Sequence, residues 1–188
     1  QHGVYELDKF KRPYNKVYVD KMFYKFEQSL DWIKESYISN KNCTFTFNKT
    51  REIFKTYLKK NPNSKIIAYA SSGFYKQDNL ILDKLNSIQK EYKNIEVLIF
   101  PHPTLNLIHI KKLLKKYSRL QLIISERFNN IDLLITGYSS LGLDYLNLNI
   151  KVLFIPFDDS ICAFNDNSLH ILKDLKCLLD KLKEILNI

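Results

Sequence analysis

"LLITGYSSLGLDYLNLNIKVLFI", residues 133–155, decides the fold. Leu133–Thr136 is apolar enough for a buried strand and breaks at Gly137. Leu141, Tyr145 and Leu148 then recur at helical spacing, and Val152–Ile155 is apolar again. A strand, a short helix and a second strand make a βαβ unit. Its strands run parallel, because the helix returns the chain to the starting edge.

The same alternation extends outward. Ile66–Ala70, Val97–Phe100 and Leu120–Ile124 read as further buried strands. Between them, Ile81, Leu85, Ile88 and Tyr92 share a helix face, as do Leu107, Ile110, Leu114 and Tyr117. Leu172, Leu175, Leu179, Leu182 and Leu186 predict a terminal amphipathic helix, with His170 near its start; His109 lies inside the helix of Leu107, Ile110, Leu114 and Tyr117. The expected architecture is α/β, a Rossmann-like three-layer parallel sheet. Further upstream, Lys16–Val19 reads as a strand and Asp20 as the cap of a helix carrying Met22, Phe26, Ile33 and Tyr37. Thr44–Phe47 fits more than one element, and Thr50–Lys60 reads as a helix stopped by Asn61-Pro62-Asn63-Ser64. That turn divides the chain into a lead-in segment, 1–64, and an α/β domain, 65–188.

With 188 residues, 45% of them hydrophobic, the chain can bury a full core. It contains no apolar run long enough for a transmembrane helix. Gln1-His2-Gly3 carries neither an initiator Met nor a signal-peptide pattern, so a piece of a longer protein is expected, with further sequence upstream. Cys43, Cys162 and Cys177 are odd in number and far apart. They suit a reducing compartment, hence a cytoplasmic location, and make no metal cluster. Neither a metal nor a cofactor is expected. The formal net charge of +9 calls for anionic partners. It is spread as Lys59-Lys60, Lys111-Lys112 and Lys115-Lys116, which could meet anionic headgroups in peripheral contact with a membrane. No nucleic-acid recognition motif accompanies it, so nucleic acid is not an expected partner.

In open parallel sheets, ligands bind outside the carboxyl ends of the strands. Four such ends bear on chemistry. The first is Ser71-Ser72-Gly73 and the second is Pro101-His102-Pro103. The third is Ser125-Glu126-Arg127, and the fourth is Gly137-Tyr138-Ser139-Ser140 leading into a helix. The fourth offers backbone N–H groups, two hydroxyls and a helix start, parts that suit a phosphate. Ser71-Ser72-Gly73 follows the same logic. His102 stands where prolines must end the strand, and an imidazole N–H there can donate to a phosphate oxygen. Asp158, after the fifth strand, could hold a ribose hydroxyl. Walker and GxGxxG patterns are both missing, which argues against ATPase and dehydrogenase chemistry.

Pro101-His102-Pro103 and "IDLLITGYSSLGLDYLNLNIKVLFIPFDD", residues 131–159, together resemble the donor-binding, C-terminal half of GT-B glycosyltransferases. More narrowly they resemble the CDP-glycerol glycerophosphotransferases of teichoic-acid synthesis and related His-Pro sialyl- and Kdo-transferases. The resemblance departs at Gly137, where that family carries aspartate. It implies a transferase of surface-polysaccharide biosynthesis using a CMP- or CDP-linked donor and a glycan or lipid-linked acceptor. His102, Ser139 and Ser140 would meet the donor phosphate. His2-Gly3 resembles the family's Trp-His-Gly element, which makes His2 the implied general base and implies an inactive isolated donor domain. The competing expectations are a UDP-sugar GT-B enzyme or epimerase, and a non-catalytic α/β anion-binding module. A receiver-like module would need an acidic cluster where Ser71-Ser72-Gly73 stands.

Overall fold

The computed structural model describes residues 18, 20–24, 34, 41–47, 61–73, 75–102, 107–117, 119–124, 128, 130–137, 140–155 and 170–188. Two short strands, β1 (Lys21–Tyr24) and β2 (Thr44–Phe47), pair in parallel as a separate two-stranded sheet. The helix expected to start at Asp20 is therefore corrected over these residues. β-Branched and aromatic side chains in Thr44–Phe47 favour extended backbone, and Lys21–Tyr24 pairs with that stretch residue for residue.

The main sheet holds β3 (Lys65–Ala70), β4 (Ile95–Phe100), β5 (Gln121–Leu122), β6 (Leu133–Thr136), β7 (Lys151–Phe154) and β8 (His170–Ile171). Their spatial order is β5-β4-β3-β6-β7-β8, all parallel. This is the doubly wound order, and it reverses between β3 and β6. The helices are α1 (Tyr75–Glu91), α2 (Leu107–Lys115), α3 (Ser140–Leu146) and α4 (Leu178–Leu186).

Alternate residues of each strand enter opposite cores. Ile67, Tyr69, Val97, Ile99, Leu133 and Ile135 pack on one face with Ile81, Leu85 and Ile88 of α1 and Leu178, Leu182 and Ile185 of α4. On the other, Ala68, Leu98, Leu134 and Phe154 pack with Leu143 and Tyr145 of α3, together with Phe128 and Ile131. The three layers expected from the sequence are present.

Two expectations are corrected in detail. The terminal helix does not include Leu172 or His170. His170 lies in β8, and the Leu172 N–H donates to the Phe154 carbonyl at 2.8 Å, so extending the sheet there satisfies buried backbone. A 3₁₀ turn at Leu175–Cys177, capped by the Asp174 carboxylate accepting from the Lys176 N–H, starts the helix later. The third expected strand is shorter than Leu120–Ile124, because β5 covers Gln121–Leu122 alone, with the Ile123 N–H still donating to the Ile99 carbonyl at 2.9 Å.

Candidate functional site

The register brings four strand ends to one level. Ala70 stands opposite Phe100 on β4 and Thr136 on β6, and Thr136 stands opposite Phe154 on β7. Ser71, Pro101 and Gly137 therefore leave the sheet side by side, and the Ser71 N–H donates to the Phe100 carbonyl at 2.9 Å. The β3 and β6 ends flank the point where the strand order reverses.

The β3 end is held by a residue that the sequence did not single out. Asp78, in the first turn of α1, is 2% exposed. Its Oδ1 accepts from the Tyr69 hydroxyl at 2.5 Å, the Ser72 N–H at 2.8 Å and the Ser72 hydroxyl at 2.9 Å. Its Oδ2 accepts from the Ser71 hydroxyl at 2.7 Å. A carboxylate in the first turn also suits the helix dipole. Burial pushes the Tyr69 phenol well above its usual pKa, and the Asp78 charge adds to the effect. The protons of the Ser71 and Ser72 hydroxyls are thus directed into the protein.

Gly73 turns the chain with φ of +85°, a conformation that costs an L side chain roughly 1 kcal/mol or more. Its bare Cα faces His102. A Cβ placed there would lie 3.3 Å from both Cγ and Nδ1 of the imidazole. Glycine at this point therefore serves two needs, the positive φ and the close seat of the ring. His102 is half-buried and follows buried Pro101. The strand stops where Pro101 was expected to end it, since β4 ends at Phe100.

At the β6 end, Gly137 is buried and α3 begins at Ser140. Thr136 is fully buried, and its Oγ1 makes no hydrogen bond. Gly142 lets α3 close on the sheet, for a Cβ there would meet the Phe154 ring at 2.8 Å and the Thr136 methyl at 3.0 Å. Ser71, Ser72, Gly73 and His102 are thus brought together, and the backbone of Ser140 lies at the same edge. His2, Pro103, Ser125, Glu126, Arg127, Ser139 and Asp158 lie outside the described residues. One pattern could have exposed Asp78 in the sequence: three hydroxyl residues, Tyr69, Ser71 and Ser72, followed by an acid in the first helical turn.

This arrangement is the α/β domain fold of GT-B glycosyltransferases. The C-terminal CMP-Kdo binding domain of WaaA from Acinetobacter baumannii superposes with a TM-score of 0.52 at 13% identity, over 67% of this chain and 82% of that one. The GtfA/B complex matches with a TM-score of 0.55 at 10% identity, and TarM with 0.51 at 15%. Each of these covers 90% of this chain, which spans only 38% and 36% of theirs. No protein-family profile and no curated protein matches the sequence.

Proposed function

We propose that this chain is the nucleotide-donor-binding part of a glycosyltransferase of surface-polysaccharide synthesis. It would move a glycosyl or polyol-phosphate group from a CMP- or CDP-linked donor to a glycan acceptor. The observation that carries the reading is the seating of His102 on Gly73 at the carboxyl edge, beside the reversal in strand order. An imidazole N–H there donates to a phosphate oxygen, and a protonated ring adds charge. The leaving group is a nucleotide phosphate whose negative charge grows in the transition state, so fixed donors lower the barrier. His102, the hydroxyls of Ser139 and Ser140 and the adjoining backbone N–H groups fill that part. Ser71 and Ser72 hold the loop through Asp78, and Gly73 seats the imidazole. Asp158 holds the donor ribose, and His2 takes the acceptor proton. The CMP-Kdo binding role of the WaaA domain supports the cytidine donor.

A thermal-shift panel of CMP, CDP and UDP tests this reading. CMP or CDP should raise the melting temperature more than UDP does. A larger shift with UDP would move the reading to a UDP-sugar enzyme, and no shift with any of the three would overturn it.

A further inference from the structure

Helices α1 and α2 lie in the same layer. Ile81, Leu82, Leu85 and Ile88 of α1 and Leu114 of α2 join one core on that face of the sheet. A polar seam ties the helices together. The Tyr117 hydroxyl, just past α2, reaches Asp83 of α1 at 2.7 Å, and Lys116 pairs with the same carboxylate at 3.0 Å. To solvent the two helices show lysines interleaved with large aliphatic side chains. On α2, Ile108, Lys111, Lys112 and Lys115 stand at i, i+3, i+4 and i+7, one stripe, all exposed. Ile108 is 61% exposed. On α1, exposed Lys76, Leu80 and Lys84 form a second stripe at i, i+4 and i+8, with Leu80 50% exposed. Lys116 is balanced by Asp83, whereas no described carboxylate pairs with Lys111, Lys112 or Lys115.

We infer that this two-helix face docks on an anionic lipid bilayer surface. Several properties favour that occupant. The cations are lysines, compact point charges suited to a diffuse negative surface rather than to planar, bidentate recognition. Each cationic stripe carries a large aliphatic side chain that can enter the headgroup layer while the lysine ammoniums stay at the interface. The chain's net charge of +9 adds long-range attraction. Contact would be at the surface, since no helix among the described residues is long and apolar enough to cross a membrane. This inference stands apart from the nucleotide reading, because it concerns a helical face rather than the strand-end loops.

The test is co-sedimentation of the whole chain with vesicles of phosphatidylcholine alone or with phosphatidylglycerol, over a salt series. Binding should need the anionic lipid and weaken as salt rises. The triple variant Lys111→Gln, Lys112→Gln, Lys115→Gln should bind roughly a hundredfold more weakly, about fivefold for each charge near the surface. Ile108→Ser should weaken binding further, with a melting temperature unchanged in both variants. A charge-matched control at exposed positions elsewhere, Lys41→Gln, Lys173→Gln, Lys176→Gln, should retain most of the binding. Equal loss in the control would overturn the assignment to this face. Binding to pure phosphatidylcholine, or tighter binding to a short duplex oligonucleotide than to anionic vesicles, would overturn the choice of partner.

Discussion

Two aspartates of α1 each accept a tyrosine hydroxyl, and their surroundings differ. Asp78 takes Tyr69 in a nearly dry pocket, together with both serines of the β3 loop. Asp83 takes Tyr117 at 2.7 Å on the outer seam, with its side chain 46% exposed. The Tyr117 hydrogen bond and the Lys116 pair hold the Asp83 carboxyl below its usual pKa, and burial raises Tyr117. The geometry of the two contacts is alike, and solvent separates their consequences. At the seam, the half-exposed Asp83 carboxylate can turn to water, and the Tyr117 hydroxyl also reaches Asn79 Oδ1 at 2.9 Å. At the loop Asp78 is nearly dry, so removing it takes the shared acceptor from the Tyr69, Ser71 and Ser72 hydroxyls and the Ser72 N–H at the edge where His102 sits.

The largest expected effect follows from that contrast. Asp78→Ala should cost about 3 kcal/mol in denaturant unfolding, because buried donors to a charged acceptor lose their partner together. A loss under about 1 kcal/mol would break the contrast, being no more than a surface pair contributes. Tyr69→Phe, which leaves the serines in place, should cost about 1.5 kcal/mol by the same measurement. Gly73→Ala should cost about 1 kcal/mol through its positive φ. It should also weaken CMP binding by displacing the His102 ring, and a normal affinity would separate Gly73 from the site. Smallest, Tyr117→Phe and Asp83→Asn should each change stability by about 0.5 kcal/mol at most. The Asp83 contribution has a definite sign with pH. Its folded pKa lies below the unfolded value, so the stabilisation is present at neutral pH and fades as pH falls through about 4 and lower. Melting curves of wild type and Asp83→Asn should therefore converge in acid. Divergence there would reverse the sign.

The same contrast explains what was legible in the sequence. Buried parallel strands are continuous apolar runs, and the β3, β4, β6 and β7 segments announced themselves that way. Strand ends follow from strands, so the placement of Ser71 and His102 at one edge was readable. Asp78 stood out less, because an acid in a helix's first turn looks the same whether it turns to solvent or inward, and only the hydroxyl residues Tyr69, Ser71 and Ser72 before it hint at the inward turn. The difference lies in the packing around Tyr69. β8 was missed because two residues carry no period, and Leu172 falls in helical step with Leu175 and Leu179. β1 and β2 are held by pairing between segments far apart in the chain, which local spacing does not reveal.

The central claim is that His102 contacts a donor phosphate at the edge that Asp78 and Gly73 hold in shape. Calorimetric titration of CMP and CDP into wild type and His102→Ala tests it most directly, with a melting curve of each protein. The account predicts affinity weakened by about 1.5–3 kcal/mol, the range for a hydrogen bond to a charged group, with little change in melting temperature. Unchanged affinity together with a large drop in melting temperature would contradict it, leaving His102 as packing for the Gly73 turn.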